Sequence, residues 1–417
     1  MRRTPATPAW PAHRTRSASS SVSSRPRGST RSSSRVCSAR STSCAATSTG
    51  SSRRSRPSSA SRMLRPLGGQ IQTVLGAIER DAIGVTLPHE HLLIDFKVMF
   101  AEPTAASDKG RAWEPVSLAN LGWVRQNFNA NLDNLRLLDE QVAQDEILLF
   151  RRAGGRTVVD PTPKTIGRDP LALARIARAT GLNVVMGAGY YVGASHPADM
   201  DRRTVDELAR EMIGDVMTGV GDTGVRAGLI GEIGTTYPWT DGAQFANEQK
   251  VLRAAVIAQR ETGAPLMIHP GRHPSMPLAL AEFVRKEGGD LRRTIMCHLC
   301  RTIADVRAVI DLAQTGIWLE YDLFGLESSY YPYNPSFDMP NDGGRMAHVL
   351  ALIAAGHRDQ ILMSHDIAYK TSLVKYGGYG YHHLLVNVVP RLRAKGVDDA
   401  GLTQLLVENP ARAFAFA

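Results

Sequence analysis

The chain has 417 residues, with 49 Lys plus Arg against 40 Asp plus Glu, a formal net charge of +9. The excess lies wholly in residues 1–69, which contain 14 Arg and no Lys, Asp or Glu, so that from Gln70 onward 35 basic residues face 40 acidic ones. The basic balance therefore gives no ground for a nucleic-acid partner, because the body of the protein has a net charge of −5.

Taken in chain order, residues 1–69 come first. They include 20 Ser by residue 62 and almost no aliphatic side chains, so they cannot bury enough apolar surface to offset their ordering entropy. A disordered tail is expected. Its Arg-rich, Ser-rich, acid-free composition matches an organelle transit segment, yet Pro5, Pro8, Pro11, Pro26 and Pro57 interrupt any helix. The preferred expectation is a start codon placed too far upstream, with Met63 near the true beginning. No secretory apolar segment and no run of about 18 apolar residues occurs, so no membrane span is expected. The expected location is the cytoplasm, or an organelle if the tail is genuine. Two of the four Cys, Cys37 and Cys44, lie in the tail; Cys297 and Cys300 remain in the body and are expected to pack rather than form disulfides.

Beyond the tail, Ile71 to Ile83 reads as a short hairpin. Eight apolar, β-branched runs follow: Gly84–Leu87, Thr157–Asp160, Asn183–Gly187, Ala227–Ile233, Pro265–Ile268, Thr294–Cys297, Gly316–Tyr321 and Gln360–Met363. They lack hydrophobic-polar alternation, as strands covered on both faces do. Helical spacing over Leu132–Phe150, Leu171–Ala179, Glu248–Thr262, Leu278–Glu287, Ile303–Ala313 and Met346–Ala355 separates several of them. Gly181, Gly263, Gly288, Gly316 and Gly356 stand where C-caps belong. Eight strand-helix units predict an α/β fold, a (β/α)8 TIM barrel over residues 70–417. No Gly-rich phosphate loop accompanies any strand. In such a barrel the loops after the strands form the catalytic face, so the connections at 94–152 and 328–345 are candidate pocket walls.

That face carries a concentrated set of polar residues. His89 and His91 follow the first strand; Glu232 is near the end of the fourth, His269 ends the fifth, His298 the sixth and Asp366 the eighth. Four His and two carboxylates at one end of the barrel suit borderline divalent ions: zinc first, or manganese, cobalt or nickel. Six donors exceed one open catalytic zinc and fit two ions bridged by a carboxylate, a binuclear metal centre in which a bridging hydroxide would attack a substrate. Tyr190, Tyr191, Arg272, Tyr321 and Lys370 are candidate substrate contacts. Of these, Arg272 could clamp an anion bidentately.

With these residues in place, the sequence resembles the phosphotriesterase family of the amidohydrolase superfamily, most closely its phosphotriesterase-related branch, from about Gln70 to Arg412. Further matching stretches are Gly187–Tyr191, His269–Arg272, Leu319–Gly325, Ser364–Asp366, Lys375–Tyr381 and Asn409–Arg412. The resemblance implies that His89, His91 and Asp366 hold the more buried ion, His269 and His298 the more exposed one, and that Glu232 replaces the carboxylated lysine many members use as the bridge. It also implies that Asp366 carries the proton from the attacking hydroxide to the leaving group. One departure is Cys300, where related sequences commonly have Asp.

The expected reaction is hydrolysis of an amide or ester carbonyl in a small anionic molecule of the N-acyl amino acid type. A lactonase or phosphoric triester hydrolase is the alternative, and a non-catalytic ligand-binding barrel is the alternative of another class. The expected partner is a small molecule, with no nucleic acid or membrane, and a homodimer is compatible.

Overall fold

In the computed structural model of the chain, residues 67–239 and 243–417 are described. The expected tail disorder, Met63, Cys37 and Cys44 lie outside them. Eight parallel strands form one nearly closed barrel sheet: β1 Thr86–Leu87, β2 Thr157–Asp160, β3 Asn183–Ala188, β4 Leu229–Gly234, β5 Leu266–His269, β6 Thr294–Met296, β7 Trp318–Tyr321 and β8 Ile361–Met363. Each pairs with the next in sequence order, as the covered apolar runs predict. At the seam between β8 and β1, Asp366 N donates to His89 O at 3.2 Å and His89 N donates to Ser364 Oγ at 3.1 Å.

The outer layer comprises α1 Glu140–Arg152, α2 Pro170–Thr180, α3 Val205–Met217, α4 Ala243–Thr262, α5 Met276–Lys286, α6 Val306–Ala313 and α7 Asp342–Ala354. Asp139, Asp169, Asp305 and Asn341 cap their helices through the side chain, and Thr204 with Glu207 forms a capping box. All five anticipated C-cap glycines have positive φ, between 67° and 88°. Two features differ from the sequence reading. Helix α3 was not anticipated. Helix α1 begins at Glu140 instead of Leu132, because Asn131 and Asn134 spend their amides on nearby backbone groups and Ile94–Asp95 pairs with Arg136–Leu137. No helix among the described residues is long and apolar enough to cross a membrane.

Alternation along the strands sorts the core. Val159, Val185, Leu229, Met267, Ile295 and Leu362 fill the barrel interior, while their neighbours Val158, Val184, Ile230, Ile268 and Met296 meet the helices. Ile71 of the hairpin formed by Ile71–Thr73 and Gly76–Ile78 joins Phe414 in plugging the floor. Phe416 pairs with Gln70 and Gly69 in both directions, at 2.9 and 3.0 Å. The interior thus turns from apolar at the floor to polar at the strand carboxyl ends.

Candidate metal centre

The backbone at three strand ends is shaped to turn side chains inward. Gly231 has φ of 132°, and a Cβ there would lie 2.4 Å from Met267 O, so only glycine fits. The β4–β5 register shifts between Ile230 and Ile233, which delivers Glu232 to the axis. His298 and Asp366, with φ of 54° and 51°, are the two non-glycine residues with positive φ among those described. Such strain persists where the surroundings enforce it, and it gathers at functional sites.

These side chains converge with the other candidates. His89, His91 and Glu232 can each offer a donor atom within 4.8 Å of one another, and so can Glu232, His269 and His298; the two triads share Glu232. Glu232 Oε1 lies 2.6 Å from His269 Nδ1 and 2.7 Å from His298 Nε2, and its Oε2 lies 3.9 Å from His89 Nε2. Asp366 Oδ1 is 3.1 Å from His91 Nε2 and 3.6 Å from His89 Nε2. Among the described residues the buried His89 Nε2 atom has no hydrogen-bond partner, although it faces both carboxylates. A cation would satisfy it, and the donor set of imidazoles and carboxylates suits a borderline divalent ion.

Neighbouring groups set the electrostatics. Glu320 Oε2 lies 3.0 Å from His89 Nδ1, Asp322 Oδ2 lies 3.0 Å from His298 Nδ1, and Thr162 Oγ1 lies 2.7 Å from His91 Nδ1. Burial opposes charge on His89, but Glu320, Asp366 and Glu232 outweigh it and raise its pKa well above the usual imidazole range. His269 has the opposite surroundings: burial, reinforced by Arg301 and His298 and only partly offset by Glu232, holds it well below that range. Arg301 is buried, with Nη2 3.0 Å from His269 Nε2 and both terminal nitrogens on Pro270 O. Burial pushes Glu320 up to about 7, whereas His298 and His89 overcome burial to hold Asp322 at about 2. Burial opposes charge on the shared Glu232 carboxylate, but His269, His298 and His89 outweigh it and hold its pKa well below the usual range.

The five substrate-contact candidates part company. Tyr191 stands at the centre, its hydroxyl 3.3 Å from both His269 nitrogens. Arg272 Nε donates to Tyr331 Oη at 2.8 Å and its guanidinium stacks 4.6 Å from the Tyr333 ring; among the described residues no carboxylate pairs with it. Tyr190 instead bonds Glu211 of α3, alongside Lys164 and Arg203. Tyr321 faces outward to His348 of α7, at 3.4 Å. Lys370 pairs with Asp133 at 2.6 Å and lines a separate cavity of about 610 Å³ with Tyr376 and Tyr381. The cavity of about 340 Å³ that opens on Asp366 is walled by Phe128, Leu323, Phe324, Ile367 and Tyr369. Asp366 is the member of the cluster that reaches it, with 19% of its side chain exposed against 4% or less for its partners.

Sequence reasoning passed over Glu90, Arg301, Glu320 and Asp322. Glu320 on β7 and Asp322 just after it were accessible to it, since they flank Tyr321 and must point opposite to it.

Comparison with known proteins gives a consistent picture. The model of the phosphotriesterase family matches residues 69–414. An N-acetyltaurine hydrolase from Salmo salar is 41% identical over 351 residues, covering 84% of this chain and 99% of that protein. A resiniferatoxin-binding protein from Rhodobacter sphaeroides has 39% identity and a TM-score of 0.80, covering 84% of this chain and 97% of its own. The phosphotriesterase homology protein from Escherichia coli, solved with phosphate in its active site, has 30% identity and a TM-score of 0.64, over 80% of this chain and 99% of its own.

Proposed function

This chain belongs to the phosphotriesterase family and is a hydrolase, and on that premise we propose that it cleaves the amide bond of a small anionic N-acyl compound. The observation that carries the reading is the pair of donor triads sharing Glu232 beneath the cavity that Asp366 enters. His89, His91 and Asp366 would hold one divalent ion and His269 and His298 the other, with Glu232 common to both; zinc fits the donors best, with manganese, cobalt or nickel as substitutes. Bound there, two ions would supply an activated water and polarise the scissile carbonyl.

The chain's own residues do the rest. Asp366 is poised to take the proton released on attack and hand it to the departing amine, since its carboxylate is both within the cluster and open to the cavity. Arg272, which pairs with no carboxylate among the described residues and is flanked by Tyr331 and Tyr333, offers its terminal nitrogens to a sulfonate or carboxylate. The Salmo salar relative's named substrate is an N-acylated sulfonic acid, which agrees with an anion clamp. The apolar walls beside Asp366 favour an uncharged acyl part.

Purified protein should carry about two equivalents of divalent metal per chain. A panel of N-acyl sulfonic acids, N-acyl amino acids, lactones and phosphate triesters should give its highest kcat/KM on an anionic amide. A lactone at the head of that ranking would replace the proposed substrate class, and an ordered protein with clearly fewer than two equivalents would end the binuclear reading. Arg272→Met should raise KM for anionic amides and leave kcat nearly unchanged.

A further inference from the structure

We propose that Glu90, the residue between the two histidines of His-Glu-His, is a positioning residue that fixes the Asp366 carboxylate by clamping the backbone on both sides of it; this rests on the role given to Asp366 above. Glu90 is fully buried and does not touch the donor triads through its carboxylate. Its Oε1 accepts from Ser364 Oγ at 2.7 Å and from His365 N at 2.9 Å, and lies 2.6 Å from His365 Nδ1. Its Oε2 accepts from Ile367 N at 3.1 Å. Asp366 N donates to His89 O, so the amides of three consecutive residues, 365 to 367, all end on residues 89 and 90.

The clamp is itself anchored. Glu90 N donates to Val159 O of β2 at 2.9 Å, and two residues on, Leu92 N donates to Asp160 Oδ2 at 2.9 Å. His365 cannot swing away, because its Nε2 accepts from Leu384 N at 2.9 Å. What the clamp encloses is a left-handed residue, Asp366 at φ of 51°. Left to itself a segment of this kind relaxes toward the right-handed or extended region. Relaxation would turn the carboxylate away from His91 and His89. Four hydrogen bonds to one buried carboxylate oppose it, and charge-assisted bonds are the strong ones.

Seam closure alone would make Glu90 a stability residue, so the test must separate the two roles. In Glu90→Gln one acceptor oxygen becomes a donor. The expected result for the metal-loaded protein is a kcat lowered about 10- to 100-fold, the range typical of groups that orient ligands, with KM within about twofold and metal content unchanged. In metal-free protein, hydrogen exchange at the His365 and Ile367 amides should accelerate at least about tenfold while that of Val185 in β3 stays as it was. Adding Glu90→Gln to Asp366→Asn should lower turnover no further, since neighbours acting through one group are not additive. An unchanged kcat, unchanged local exchange, or a double variant reduced by the full product of the two single effects would overturn the proposal. Should Glu90→Gln fail to fold, Ser364→Ala removes one of the four bonds and should show the same pattern, weaker. Full turnover in Asp366→Asn would overturn the role of Asp366 itself, and the exchange measurement would still decide whether Glu90 holds the segment.

Discussion

The two flanks of the cluster are electrostatic opposites. On the side of β1 and β7, His89 leans on Glu320, in the carboxylate-histidine arrangement that would sharpen an imidazole as a ligand. On the side of β5 and β6, His269 meets the buried guanidinium of Arg301, and farther out Arg345 is buried beside Cys300. Carboxylates thus raise the basicity of His89, while burial and Arg301 lower that of His269. Two cations held between such flanks would differ in affinity and in the hold each has on a shared water, an asymmetry that a symmetric set of ligand types does not disclose.

The comparison can be broken at its junction first. Glu232→Ala removes the group common to both triads and should take both equivalents of metal and all measurable hydrolysis, whereas His269→Ala should take one equivalent; metal analysis of the two variants beside the parent decides it. Next, Glu320→Gln should cost about 10- to 100-fold in metal affinity or turnover, measured by chelator competition. Arg301→Gln should act in the other direction, tightening the His269-side ion severalfold, because it withdraws a positive charge from a cation site. Loss of affinity in Arg301→Gln would show that the guanidinium's hold on Pro270 outweighs its charge.

Two smaller effects sharpen the cationic flank. Asp342, bonded to His383, Gly325 N and Arg345, is held at about 2 by these partners despite its burial. A carboxylate depressed on folding stabilises above its unfolded pKa near 4 and loses that contribution as pH falls toward 2. Denaturant titrations at pH 5 and pH 2.5 should therefore show the difference between the parent and Asp342→Asn shrinking by about 2 kcal/mol at the lower pH. Among the described residues Arg345 Nε and Nη2 are buried with no oxygen or nitrogen acceptor, next to a Cys300 thiol that burial pushes up to about 11. Cys300→Asp should supply an acceptor and raise stability by about 1 kcal/mol; a fall in the urea midpoint would show that the carboxylate's desolvation prevails.

Much of this was legible in the sequence. Strands buried on both faces leave long apolar runs, which mark all eight, and strand ends fix where inward side chains must lie, which groups the six candidate donors at one end. Reading failed where a side chain's direction depends on one residue's register. Tyr321 was favoured for its aromatic ring while its neighbours Glu320 and Asp322 point to the axis. Tyr190 is turned to α3 as Tyr191 is turned to His269. Lys370 follows strand β8 by a stretch of loop, and only the fold brings Asp133 to it. Glu90 was hidden between two histidines because its partners lie some 275 positions away. Helix α3 escaped notice because its buried stripe, Leu208, Ala209, Met212 and Val216, is diluted by acidic and basic residues on its outer face.

The Phe416 clasp has a bearing on how the molecule is made. A chain emerging from the ribosome offers β1 early and β8 last, so the seam that seats Asp366 over His89 has no second half until most of the sequence is out. The floor waits longer still, because Phe414 and Phe416 must arrive to cover Ile71 and pair with Gln70. Synthesis thus yields, for most of its duration, an open curl of strands whose polar end is unassembled. Seam closure and floor closure are then successive late events, and a truncation that spares every candidate ligand but removes residues 414–417 should leave the floor open and lower the stability of the whole barrel.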